Sequence, residues 1–160
     1  MKKLLISLVS VMLIGTAQAQ QYNTAFGVRA DWSSIDIDLA QLSIKHYFNS
    51  PNALETNIGF GRRYLWTQFN YQQSRPFVLG SDWYWGAGAD IGYWNRNYDQ
   101  RYDPTATKGW WSGIGAMVGA EYTFCAFPIN LALDAGPNIR MIPEWKLALL
   151  VSFSCRFALR

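Results

Sequence analysis

From Tyr22 to Leu159 the chain alternates apolar and polar positions with period two, and no helical period is sustained. In the first such segment Tyr22, Thr24, Phe26, Val28, Ala30 and Trp32 share one face, while Asn23, Ala25, Gly27, Arg29 and Asp31 share the other. Next, Leu42, Ile44, His46 and Phe48 oppose Ser43, Lys45 and Tyr47, and then Leu54, Thr56, Ile58 and Phe60 oppose Glu55, Asn57, Gly59 and Gly61. Leu65, Thr67, Phe69 and Tyr71 oppose Trp66, Gln68, Asn70 and Gln72. The second half repeats the scheme around Trp83–Tyr93, Ile114–Phe124, Ile129–Ala135 and Leu147–Leu159. One face is apolar or aromatic; the other holds glycine, small polar residues and isolated charges. Period two fixes strands, because successive side chains of a strand point to opposite faces. The pattern predicts eight strands. Their lengths approach the roughly 9–11 residues that a tilted membrane strand requires.

The connections alternate in kind. Ser50-Pro51-Asn52 and Cys125-Ala126-Phe127-Pro128 read as tight turns, with Ser74 to Asp82 a longer connection on the same side. Opposite lie Ser33 to Asp38, Arg62-Arg63, Asn95 to Lys108 and Asn138 to Glu144. Short periplasmic turns and longer outer loops are the habit of outer-membrane barrels, so the Asn95–Lys108 loop is expected outside the cell.

Alternation does not say which face is inside. A secreted lipocalin-like barrel would bury the apolar face, and a membrane barrel would expose it. The polar face is rich in glycine (Gly86, Gly88, Gly92, Gly113, Gly115, Gly119), which suits a narrow packed lumen better than a water-facing surface. Its few charges balance: Arg29, Lys45 and Arg156 against Glu55, Asp90, Glu121 and Asp134. Tryptophans gather at strand ends, with Trp32, Trp66, Trp94, Trp110, Trp111 and Trp145 on the loop side and Trp83 and Trp85 on the turn side. Aromatic girdles at both interfaces are expected of membrane barrels. The prediction is an all-β, eight-stranded, antiparallel up-and-down transmembrane β-barrel with both termini periplasmic.

Composition agrees. Charged residues make up 16% of the 160-residue chain and aromatics another 16%. A patch-free soluble surface needs about 25–35% charge. The formal charge is +3, of which Lys2 and Lys3 supply two, and no basic block suggests nucleic acid. Lys2-Lys3, the apolar run Leu4–Ile14 and Ala17-Gln18-Ala19 form a secretory signal peptide. Residues 1–19 are expected to be cleaved, leaving 20–160 as the barrel domain. No cysteine follows the cleavage point to make a lipoprotein.

Several stretches resemble those of the short outer-membrane β-barrel proteins, similar in size to OmpX and to the membrane domain of OmpA. They are Lys45-His46-Tyr47-Phe48 with Asn52-Ala53-Leu54-Glu55, then Asp82 to Gly92, and Gly119-Ala120-Glu121-Tyr122-Thr123-Phe124 with Pro128-Ile129 and Leu131-Ala132-Leu133-Asp134. The resemblance covers most of the chain after the signal peptide and implies fold and location, but no activity. The chain departs from that pattern at Asp90, where histidine is frequent, at Ala135-Gly136-Pro137, and after Phe157, which Ala158-Leu159-Arg160 follow instead of ending the chain.

Candidate chemistry is sparse. Glu55, Asp90, Glu121 and Asp134 are expected to pack with Arg29, Lys45 and Arg156 as an interior charge network, since eight strands leave room only for side chains. His46, the only histidine, falls on the lipid face with no serine on that face of its strand, which argues against a lipid-modifying hydrolase. Cys125 and Cys155 would have a strand between them, which favours free thiols over a disulfide. No metal-ligand spacing occurs, and no cofactor is expected. The outer loop offers Arg96, Tyr98, Arg101 and Tyr102 to a partner or a surface glycan. The expected partners are outer-membrane lipid, lipopolysaccharide and a protein of an envelope complex. The expected function is a structural or interaction protein with a packed, non-conducting interior and no enzymatic activity; the alternatives are a narrow small-solute channel and a lipid-modifying enzyme.

Overall fold

The computed structural model describes residues 22–34, 39–60, 64–78, 80–94, 109–124 and 126–159. The signal-peptide boundary, Cys125, and the loop candidates Arg96, Tyr98, Arg101 and Tyr102 lie outside the described residues, as does the side chain of Trp94. Eight strands follow one another: β1 (Thr24–Ser33), β2 (Leu39–Asn49), β3 (Asn52–Phe60), β4 (Tyr64–Pro76), β5 (Ser81–Trp94), β6 (Gly109–Thr123), β7 (Ile129–Ile142) and β8 (Lys146–Leu159). Each pairs antiparallel with its sequence neighbour, and β1 closes on β8, from Thr24↔Leu159 to Ser33↔Leu150. Closure removes both sheet edges.

Two strands outrun their alternating segments. β7 continues through Asn138↔Ala148 and Arg140↔Lys146, so the expected Asn138–Glu144 connection shrinks to the residues after Ile142. β4 continues to Pro76, through Ser74↔Tyr84 and Arg75↔Trp83. In both places a paired partner extends the ladder past the end of the clean hydrophobic pattern.

The barrel is turned apolar side out. Val28, Leu42, Phe69, Val118, Leu133 and Leu149 are all exposed, whereas Arg29, Lys45, Glu55, Asn57, Gln72 and Arg156 are buried. Lys45 and Glu55 are fully covered, at 0% exposure. Among the described residues no helix is long and apolar enough to cross a membrane.

Tyr22 departs from its expected face. It is buried, and Asn23 beside it is exposed. The β1 register begins at Thr24, and before it only single bonds remain: Asn23 N–H to Leu159 O, and Tyr47 N–H to Asn23 O. Without a ladder the two-residue period is not enforced. Tyr22 therefore folds under the barrel end, edge-on to Tyr47 with ring centroids 5.3 Å apart.

Candidate functional site in the lumen

The inward phase of every strand delivers a polar side chain to the axis, and these side chains meet in layers. At the turn end, Lys45 Nζ donates to both oxygens of Glu121 at 2.9 Å. The same carboxylate accepts from Tyr47 Oη at 2.5 Å, Tyr22 Oη at 3.1 Å and Asn130 Nδ2 at 3.3 Å. The Lys45 ammonium also lies 4.6 Å from the centre of the Tyr84 ring. With aromatic faces around it and a carboxylate in front, this fully buried cation has replacements for its lost water.

The middle layer centres on Glu55. It accepts from Arg156 Nη2, from Gln72 Nε2, from Ser43 Oγ at 2.9 Å and from Arg29 Nη1 at 3.3 Å. Arg29 then spans to Asp134, donating from Nη1 at 3.0 Å and Nη2 at 2.8 Å, the two-pronged geometry that suits guanidinium and carboxylate. Its Nε donates to Asp31 at 2.8 Å, and Tyr84 Oη donates to Asp134 at 2.6 Å. Residues distant in sequence are thus tied through one cluster, with Arg156 reaching Ser43 of β2 and Asn130 of β7.

Toward the loop end amides and indoles join the charges. Asp90 accepts from Asn138 Nδ2 at 2.6 Å, and Gln68 Oε1 accepts from Asn57 and Asn70. Above them Trp66 and Trp111 stack, with centroids 5.6 Å apart, and the Arg140 guanidinium lies 5.2 Å from the Trp111 ring. Two glycines make this possible. A Cβ at Gly59 would run into the Trp66 indole, and one at Gly92 into that of Trp111.

The charge-network residues fall out as follows. Arg29, Lys45, Glu55, Glu121, Asp134 and Arg156 meet in the two lower layers. Asp90 is buried but stands apart, held by an amide and not by those three cations. Asp31, Tyr22, Tyr47 and Tyr84 belong to the cluster and were not singled out from sequence, although Asp31, Tyr47 and Tyr84 sit on the inward phase of their strands.

The girdle needs correction at two positions. Trp66 and Trp111 are 4% and 6% exposed and point into the lumen, because their phase is that of Gln68 and Gly113. Position at a strand end suggested the interface; parity decides the direction. Trp32, Trp83, Trp85, Trp110 and Trp145 are exposed on the outside.

A cavity of about 10 Å³ adjoins Arg29, Gln68, Asp134 and Ser152, room for one water. His46 lies on the outer wall, its Nδ1 2.8 Å from Thr24 Oγ1 across the β1–β2 ladder. Spacing along β2 alone does not show this hydroxyl, because it comes from the neighbouring strand. Among the described residues no group of three His, Cys, Asp or Glu side chains could hold a metal ion. Cys155 is a free thiol on β8, between Val28 and Leu131 of the neighbouring strands.

No family model matches the chain, and no curated protein matches it. Among solved structures it is similar to the crystal structure of the N-terminal β-barrel domain of Pseudomonas aeruginosa OprF. The TM-score is 0.52 at 19% identity, over 84% of this chain and 99% of that one. The likeness shows the fold: a closed, eight-stranded, all-antiparallel β-barrel.

Proposed function

We propose that the protein is an integral outer-membrane β-barrel with a packed, non-conducting interior, serving as a structural or interaction protein of the envelope. The observation that carries this reading is the inversion of polarity. Phe26, Ile44, Ile58, Phe69, Ile91, Val118, Leu133 and Phe153, one from each strand, are exposed, while the charges are sealed inside. In water such a wall would be a very large apolar patch, whereas a bilayer is its natural solvent. The likeness to the OprF barrel domain supports the closed-barrel fold on which this reading rests.

On this reading both termini face the periplasm, the 95–108 loop faces outward, and lipid and lipopolysaccharide are the constant partners. Arg96, Tyr98, Arg101 and Tyr102 are the candidates for contact with a further envelope protein. The lumen acts as an internal truss, and the protein performs no enzymatic step.

The test is fractionation of cells expressing the full chain. The protein should co-purify with outer membranes and migrate faster on gels before boiling than after. Recovery in the soluble periplasm would overturn the reading in favour of a lipocalin-like barrel.

A further inference from the structure

Within the strands, among the described residues, every Asp, Glu, Lys and Arg takes the inward phase except one. Arg75, near the end of β4, is exposed on the outer wall. It pairs with Trp83, and Phe77 follows it on the same phase, since the Phe77 N–H continues the ladder by donating to Ser81 O at 2.9 Å. An isolated outward cation between two aromatic residues is the pattern that anchors proteins where acyl chains meet phosphates.

The rest of the turn end repeats this chemistry. Phe48, Phe77 and Phe127 are 57%, 67% and 63% exposed, one at each described turn of this end. Phe48 keeps the outward phase of β2 and touches the outer-wall residue Tyr71, at 6.3 Å between ring centres. Phe127 lies two residues before Ile129, which is exposed on the same wall. These rings are distributed around the barrel. A surrounding sheet of lipid meets a ring of residues; a protein partner meets a contiguous patch.

Between these phenylalanines and the apolar belt lies a collar of polar side chains bonded to one another. Thr24 pairs with His46 at 2.8 Å, and Asn52 Oδ1 accepts from Tyr71 Oη at 2.7 Å and Gln73 Nε2 at 3.1 Å. In water such groups would need no partners; near hydrocarbon, leaving them unpaired is costly.

We propose that the turn end of the barrel is a lipid-headgroup contact. In it Arg75 engages the phosphate of a membrane lipid, and Phe48, Phe77 and Phe127 insert into the surrounding leaflet. The bilayer then reaches the turn tips and covers the His46 collar. The inference rests on the membrane-barrel reading.

The experiment is nitroxide accessibility in vesicles of phosphatidylcholine and phosphatidylglycerol. Labels go at Phe48→Cys, Phe77→Cys, Phe127→Cys and, as a mid-wall control, Leu133→Cys, all in a Cys125→Ser, Cys155→Ser background that keeps heat-modifiable migration. The expected result is that all four labels collide several-fold more with oxygen, relative to a water-soluble nickel chelate, than a free aqueous label does. If the turn labels behave as aqueous while Leu133 remains oxygen-accessible, the headgroup contact fails and the barrel reading stands. If Leu133 is also nickel-accessible, the membrane reading itself fails. Turn labels aqueous in vesicles but protected in native outer membranes would replace lipid with a protein partner. For the cation, Arg75→Gln should retain several-fold less phosphatidylglycerol than wild type by native mass spectrometry, and Arg75→Lys should restore it. Equal retention by all three overturns the phosphate contact.

Discussion

Replacing Glu121 by leucine removes the carboxylate that Lys45 Nζ contacts in the lumen. Lys45 is fully covered and its Nζ donates to both Glu121 oxygens at 2.9 Å, so the substitution leaves a buried ammonium without its counterion. Stranding one partner of a buried pair costs about 3–5 kcal/mol. Tyr22, Tyr47 and Asn130 lose an acceptor as well. Each orphaned donor adds up to about 1–3 kcal/mol when nothing replaces the acceptor. Tyr47 keeps Ser74 Oγ at 2.9 Å, and Asn130 keeps Thr123 Oγ1 at 3.0 Å, so most of that second cost is avoided. The expected loss for Glu121→Leu is therefore about 4 kcal/mol. With a urea slope of about 2 kcal/mol per molar, the unfolding midpoint should fall by roughly 2 M. Tryptophan fluorescence of the barrel refolded in vesicles, followed through urea at both ends of the transition, measures this directly. The double variant Lys45→Met, Glu121→Leu removes both charges and should recover much of the loss, because an apolar replacement of a whole buried pair is often close to neutral. An unmoved midpoint in the single variant, or a double variant no more stable than the single, would refute the reasoning.

Gly59→Val should expel the Trp66 indole and dissolve the Trp66–Trp111 stack, so the near-ultraviolet dichroism of the folded barrel should weaken while its strand signal persists. Tyr84→Phe deletes the 2.6 Å bond to Asp134 and leaves the Arg29–Asp134 pair; a loss of about 1–2 kcal/mol in the same urea assay is expected. Gly119→Val should prevent refolding or shift the midpoint strongly, since a Cβ there would come within 2.6 Å of Leu133 O and 2.8 Å of the Tyr84 ring. His46→Ala should leave the lipid A mass spectrum of expressing cells unchanged from wild type, and any difference attributable to His46 would reopen an enzymatic role.

The period-two pattern made the fold readable because it is the direct trace of the pleat: Arg29, Lys45, Glu55, Glu121, Asp134 and Arg156 all fall on the glycine-rich face, and that face turns inward. Parity also contained the true positions of Trp66 and Trp111. Residue type and strand-end position point outward, phase points inward, and inside the barrel the two indoles need Gly59 and Gly92 beneath them, a pairing set by register alone. Tyr22 was illegible for the opposite reason, since no ladder constrains it. The identity of each ion pair was equally hidden. Asp90 shares its face with Glu121, yet stagger between strands brings one to an amide and the other to a lysine. The Thr24–His46 bond crosses from β1 to β2, so only the closed register reveals it.

The barrel is apolar outside and pairs its buried charges as Lys45–Glu121, Arg156–Glu55 and Arg29–Asp134, and the proposed function has that interior closed to ions. Single-channel recording of the refolded protein in a planar bilayer tests it most directly. Insertion, verified by heat-modifiable migration of the same sample, should give no steady conductance above the bare membrane. A stable ohmic step reproduced in every insertion would contradict the account and make the protein a channel.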